Sequence, residues 1–392
     1  MKGFFNLSHL SAGFTTVLVG YTSSVVIVIQ AATASGANPT QIESWLLTLG
    51  VVMGLTSILY SWFYKTPIVT AWSTPAAVML AASAGQYSLP VVIGAFMFSG
   101  ALFTLTGMLA PLTRALSKIP VPLGTAMLGA ILLPFCAKAF TPLTDTPALF
   151  ALLFTSYLLA KHLVPRYTML VLLLVSLGSA LALGSFQHAD LALRIATPIW
   201  VMPEFDWLAI LNLALPLYLI TMLSQNLPGI AMLKSYQYDA PIKPILVGTG
   251  LATLMSAPFG GFSVNLAAIS AAICMNEDVD QDKAQRYRAV LWAGGFYLLA
   301  GIFAALVVNL FLALPKPISA MLAGLALLGT LMMCLQSAFK SMSTASLRYS
   351  LCDHAFWCHL VWNERDADWP CDRIGVLTVD DSPATINSPS SG

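Results

Sequence analysis

Apolar runs of about 20 residues, long enough to cross a hydrocarbon core as helices, recur from residue 10 to residue 338 with few charged side chains inside them. They fall at 10–31, 42–64, 67–84, 89–110, 119–138, 146–162, 166–184, 207–233, 243–257, 258–276, 286–312 and 317–338. In lipid every backbone polar group must find its partner within the protein, which leaves helices or a closed barrel, and runs of this length are helices. The expectation is an all-α polytopic membrane protein of twelve crossings. Composition agrees: 58% of the 392 residues are hydrophobic and 9% are Lys, Arg, Asp or Glu, against about 25% charged in a soluble domain. A cytosolic globular protein, a disordered chain and a nucleic-acid binder with its basic patch are excluded. The six Cys form no paired framework.

Basic residues set an orientation. With the N-terminus cytoplasmic, inner loops hold Lys2, Lys65, Arg114, Lys118, Lys161, Arg166, Lys234, Lys243, Lys283, Arg286, Arg288, Lys340 and Arg348, and outer loops hold Lys138, Arg194 and Lys316. That asymmetry is what a correct span count gives. The first run is too long for the apolar region of a cleaved signal and is read as a retained span. The outer loop 185–206, with His188, Asp190, Arg194, Glu204 and Asp206, reads as a solvated connector, as does the inner run Glu277-Asp278-Val279-Asp280-Gln281-Asp282 with Lys283, Arg286 and Arg288. Neither has the ligand spacing of a calcium loop.

Two spans are broken. In Thr66-Pro67-Ile68-Val69-Thr70-Ala71-Trp72-Ser73-Thr74-Pro75 a Pro and β-branched residues favour an extended stretch, and Ser/Thr followed by Pro make an N-cap and N1 pair. The helix from there to Ala84 spans about 15 Å, half a membrane. In Ala257-Pro258-Phe259-Gly260-Gly261-Phe262-Ser263-Val264-Asn265 the Pro and paired Gly delay a helix until about Asn265. An echo runs upstream: Ser23-Ser24 and Asn38-Pro39 each stand 202 positions before Gln225-Asn226 and Ala240-Pro241. With seven spans before residue 184 such a repeat is inverted in the membrane, the signature of a secondary transporter with its site at the repeat interface. Two half-helix N-termini aimed into one cavity would hold an anion without a buried Arg or Lys.

Polar side chains inside spans are costly and mark function. Those that stand out are Tyr21, Thr22, Ser23, Ser24 and Gln30 in the first span, Ser224, Gln225 and Asn226 in the eighth, and Ser73, Thr74, Ser263 and Asn265 at the breaks. Trp72, Tyr21 and Phe262 are the candidates to pack on a ring. Helix–helix hydrogen bonding and plain capping are the structural alternatives for the polar set. Ser263 lacks the final Gly of a serine-hydrolase elbow and a His in reach, and no Walker motif occurs. An enzyme and an ATP motor are therefore not expected, and neither is a metal or other cofactor.

The stretches Gly20-Tyr21-Thr22-Ser23-Ser24, Thr70-Ala71-Trp72-Ser73-Thr74-Pro75, Ser224-Gln225-Asn226-Leu227-Pro228-Gly229-Ile230 and Ala267-Ala268-Ile269-Ser270-Ala271-Ala272-Ile273-Cys274 closely resemble, in order and place, the bacterial benzoate/proton symporter family, BenE, over about residues 8–340. The resemblance implies a nucleobase-transporter-like 7+7 inverted-repeat fold. Residues 1–340 would be the transporter domain, with a core from spans 1–4 and 8–11 and a gate from spans 5–7 and 12. It further implies proton-coupled uptake of benzoate or a similar aromatic carboxylate across the inner membrane, with homodimers among the assemblies open to it. Gln225 stands where pyrimidine carriers of that fold place a binding carboxylate, and an amide there suits an anion. The alternatives are a carrier of a neutral nucleobase or another small anion, and a truncated remnant. The family continues with two further apolar spans. Here residues 341–392 are polar and include Cys352, Cys358, Cys371, His354 and His359, whose spacing fits no zinc finger. A shifted reading frame is the expectation for that tail.

Overall fold

The computed structural model describes residues 6–109, 121–184 and 194–341; the polar tail beyond Ser341 lies outside them. Each of the apolar intervals contains a helix. The first four are α1 (Leu7–Ala34), α2 (Pro39–Tyr64), the half-length α3 (Thr74–Ser83) and α4 (Leu89–Met108). Then come α5 (Val121–Lys138), α6 (Pro147–Leu163), α7 (Thr168–Ala182) and the long α8 (Trp207–Ser235). Next are α9 (Ile242–Ser256), the short α10 (Ile269–Met275), the pair α11 (Tyr287–Ile302) and α12 (Ala304–Leu312), and α13 (Lys316–Ser341). Seven described helices are long and apolar enough to cross a membrane, and the α11–α12 pair, bent by 62°, is long and apolar enough when taken together. Large apolar side chains such as Phe63 (79% exposed) and Met255 (75%) face outward, the surface a hydrocarbon solvent demands.

Two glycine seams hold the bundle together. Along α2 and α11 the backbones meet so closely that a Cβ on Gly50 would stand 2.6 Å from the Gly301 Cα, and one on Gly54 2.8 Å from the Gly294 carbonyl oxygen. Along α4 and α9 a Cβ on Gly100 would stand 2.8 Å from the Leu254 nitrogen. Lipid tails are as apolar as Leu, so helices associate here through close van der Waals contact, which small residues permit. The pairing is crosswise: the second span packs on the eleventh, and the fourth on the ninth. Further contacts join α5 to α13 and α6 to α7, while α1 touches the first set through α11, the second through α7 and α13, and the short helices α3 and α10 as well.

Two stretches read as solvated connectors are structured. Residues 194–206 form a strap without helix or strand. Its Ala196, Ile199, Val201 and Glu204 N–H groups donate to Ile302 O (3.2 Å), Ser44 Oγ (2.8 Å), Pro258 O (2.8 Å) and Pro90 O (3.0 Å). Arg194 pairs with the buried Glu43 carboxylate at the start of α2. These bonds tie the strap to α2, α4, α11 and the break after α9. Residues 185–193 lie outside the described set. In the 277–288 run, Arg286 is buried and donates to Asp280 O (2.7 Å) and to Met275 O (2.9 Å), the last carbonyl of α10. His9, also buried, meets Asp280 Oδ2 at 2.9 Å.

Candidate functional site

The two breaks meet. Thr70–Trp72 forms a strand, β1, and Val264–Leu266 a strand, β2. They pair antiparallel with Thr70 opposite Leu266, Ala71 opposite Asn265 and Trp72 opposite Val264. Ser73 N–H to Ser263 O (3.1 Å) and Ala267 N–H to Val69 O (2.9 Å) extend the ladder at either end. Every residue of β2 is buried, so this is non-helical backbone inside protein, one of the settings in which it is tolerated within a membrane protein.

Hydroxyls on neighbouring helices complete the exposed rungs. Ser61 and Ser57 of α2 accept from the Ile68 and Thr70 N–H groups (3.1 and 2.9 Å), and Thr56 shares a 2.6 Å bond with the Thr70 hydroxyl. Thr253 of α9 accepts from Val264 N–H (3.0 Å). None of these four hydroxyl residues stands out in the sequence, because isolated Ser and Thr are common in membrane helices.

Beyond β1 the chain enters α3 as the Ser-Thr-Pro pattern predicts. Ser73 Oγ accepts from Ala76 N–H (3.3 Å), with Pro75 in the first turn. Beyond β2 the expectation fails by four residues: the helix starts at Ile269, not at Asn265, and is seven residues long. The strand pairing is the reason, since it holds Val264–Leu266 extended. Ser263 and Asn265 therefore lie in the ribbon rather than at a helix start, and Ser263 has a left-handed φ of 41°.

The predicted residues fall into three groups, with Tyr21 in the first by its ring and in the third by its hydroxyl. Tyr21 and Trp72 meet edge to face at 4.9 Å between ring centres. Trp72 Nε1 donates to Ser24 Oγ (2.9 Å), whose own proton goes to Gly20 O (2.7 Å), and Ser23 bonds the same carbonyl (3.1 Å). A second group is used up by the protein. Asn226 Oδ1 accepts from Leu266 N–H (3.0 Å) and its Nδ2 contacts Met222 Sδ (3.2 Å). Gln30 Nε2 donates to Ser319 O of α13 (3.3 Å), and Phe262 is buried between Trp45 and Phe96, ring centres 5.9 and 5.7 Å away. The third group keeps free polar atoms. Among the described residues Tyr21 Oη, Ser263 Oγ and Asn265 Oδ1 are buried with no hydrogen-bond partner, as are His9 Nδ1, Ser176 Oγ and Gln285 Oε1 outside the predicted set; Ser263 and Asn265 lie in the ribbon itself, and the Tyr21 ring touches Trp72 of β1. The half-buried Thr74 and Gln225 side chains point no polar atom at another described residue. Buried polar groups are almost always paired, so the two unpaired atoms of the ribbon, Ser263 Oγ and Asn265 Oδ1 next to the start of α3, are free to bond a small polar ligand.

The eighth span has a feature that sequence reading missed. It contains two π turns, Ile210–Ala214 and Met222–Asn226, each ending two residues before a proline, Pro216 or Pro228. Proline removes an N–H and its ring crowds the preceding turn, and a π bulge relieves that crowding. Thr221, at the edge of the second π turn, donates to Ser73 Oγ (3.0 Å) and is completely buried.

Comparison with known proteins now decides the family. The family model described as "Benzoate membrane transport protein" matches residues 3–351. The chain belongs to the BenE family. It is 40% identical over 322 residues to the inner membrane protein YdcO of Escherichia coli K12, covering 82% of both chains. It is 36% identical over 331 residues to the benzoate membrane transport protein of Acinetobacter baylyi, covering 84% of both. This BenE chain also shares its fold with the transmembrane domain of the cyanobacterial bicarbonate transporter BicA, at TM-score 0.64 and 14% identity, covering 90% of this chain and 95% of that one. SLC26A9 follows at TM-score 0.59 and 13% identity, covering 90% and 65%. The nucleobase-carrier likeness expected from the sequence is not what these structures display; the folds matched are those of bicarbonate and SLC26 transporters. The chain is a multi-pass membrane protein of a transport family.

Proposed function

We propose that this chain is a secondary carrier that takes up benzoate or a closely similar aromatic carboxylate together with protons. The observation that carries this reading is the paired break of two spans, with the unpaired buried Ser263 Oγ and Asn265 Oδ1 in the ribbon that leads into α3. Aligned peptide dipoles leave about half a positive charge at such a terminus, so a carboxylate is held without a buried base. The edge-to-face Tyr21–Trp72 pair, locked by Ser24, offers the aromatic wall. The Gln225 amide adds donors where an acid would repel the substrate. Phe262 lies in the Trp45–Phe96 cluster, which leaves the ring contact to Trp72 and Tyr21. The relative named as a benzoate transporter supports the substrate class.

The crosswise seams, second span on eleventh and fourth on ninth, are what two inverted halves of seven spans would produce. In this reading α1–α4 and α8–α12 form the core, α5–α7 and α13 the gate, and the N-terminus is cytoplasmic.

The test is uptake of labelled benzoate into proteoliposomes under an inward proton gradient. The intact chain accumulates label above equilibrium, a protonophore abolishes the excess, and Gln225→Ala reduces uptake about tenfold, a loss of the size given by one hydrogen bond to a charged group. Uptake no better than empty liposomes, or equal uptake by Q225A, overturns the reading. Accumulation of labelled uracil in place of labelled benzoate turns it toward a nucleobase carrier.

A further inference from the structure

The second π turn of α8 grips both broken spans at once. On an α-helix, residues five apart lie about 140° from each other. In a π turn the hydrogen bond runs from i to i+5, which brings Thr221 and Asn226 to one face. Thr221 then reaches Ser73, the cap of α3, while Asn226 reaches Leu266, the end of β2.

The chemistry at Ser73 is directional. A hydroxyl has two acceptor sites and one proton. Ser73 Oγ accepts from Ala76 N–H and from the Thr221 hydroxyl, so both acceptor sites are filled. Its remaining capacity is to donate. An acceptor such as a carboxylate oxygen arriving at the mouth of α3 therefore meets a proton and not a lone pair.

We propose that Thr221 is a positioning residue for carboxylate recognition: it fixes the Ser73 hydroxyl as a donor and holds the α3 mouth in register with β2. This rests on the carrier reading given above. It does not require Thr221 to touch the substrate, and it gives the π turn a purpose beyond accommodating Pro228.

The test compares Thr221→Val, which keeps the volume and removes the donor, with Thr221→Ser, which restores the donor. In proteoliposomes T221V raises the KM for benzoate about three- to tenfold, the range of one hydrogen bond, with Vmax nearly unchanged, and T221S stays within about twofold of the parent chain. Amide exchange in the purified protein rises in T221V at residues 73–78 and returns in T221S. Where T221V is not recovered from membranes, Thr221→Ala carries the same expectation. An unchanged KM in T221V, or T221S as impaired as T221V, overturns the proposal. A parent chain that moves no benzoate sinks the carrier reading instead, and the exchange measurement then decides alone: unaltered protection at 73–78 in T221V rejects the assignment of Thr221.

Discussion

At the scale of single residues, the sites least open to change are set by backbone geometry and by stranded charge. Gly260 has a φ of 92°, and a Cβ there would run into the Trp45 indole. Gly260→Ala meets a left-handed backbone and a steric clash together, each worth about 1–3 kcal/mol. It should lower the melting temperature in detergent by far more than Gly295→Ala, whose Cβ meets nothing within 4 Å. Glu43 poses a different problem. Its side chain is 4% exposed while its partner Arg194 is 50% exposed. Removing Arg194 leaves a buried carboxylate with no counter-ion, whereas removing both charges does not. Arg194→Ala should therefore destabilise by about 1–3 kcal/mol, and adding Glu43→Gln should recover most of the loss, as read by thermal unfolding of the two variants. Equal melting of the single and double variants would falsify this account of the strap.

Elements are held by shape more than by chemistry. The α2–α11 seam depends on Gly50, Gly54, Gly294 and Gly301, and it has no room for a side chain. Gly301→Leu should push the helices apart and cost about 1–3 kcal/mol or more of overpacking, seen as reduced folded yield and a lower melting temperature. Gly329→Leu on α13, where the added Cβ meets nothing, is the control. The π turn of α8 makes an element-scale expectation of its own. Pro228→Ala returns the missing N–H and lets the turn relax toward α, swinging Asn226 away from Leu266 N–H. Benzoate uptake should fall while the protein stays folded. Uptake at the parent level with the Met222–Asn226 segment shown to be α-helical would remove the π turn from the account.

For the whole molecule, the decisive question is whether two bodies move against each other. Gln30 of α1 and Ser319 of α13 touch across the proposed boundary between core and gate. Cysteines at these two positions, joined by a short bifunctional maleimide, should stop uptake, while each single cysteine variant treated alike should not; full uptake after complete cross-linking would exclude relative motion there. Much of this architecture was legible in the chain. Apolar length located every membrane-length helix among the described residues, because lipid imposes one solution on a long apolar run, and Ser73-Thr74-Pro75 marked the start of α3 because capping is local chemistry. The start of α10 was not legible: Val264-Asn265-Leu266 is extended only because Thr70-Ala71-Trp72, some 190 positions earlier, lies beside it. Nor could spacing reveal Thr221, which faces Ser73 through a π turn that changes the period on which sequence patterns depend. By itself, then, the sequence determined a helical membrane body, two interrupted spans and the polar residues worth attention, since each follows from local propensity or from the solvent. Which of those residues are consumed by the protein and which keep a free polar atom was decided by the tertiary structure, because a hydrogen bond between groups scores of residues apart exists only once the chain has folded.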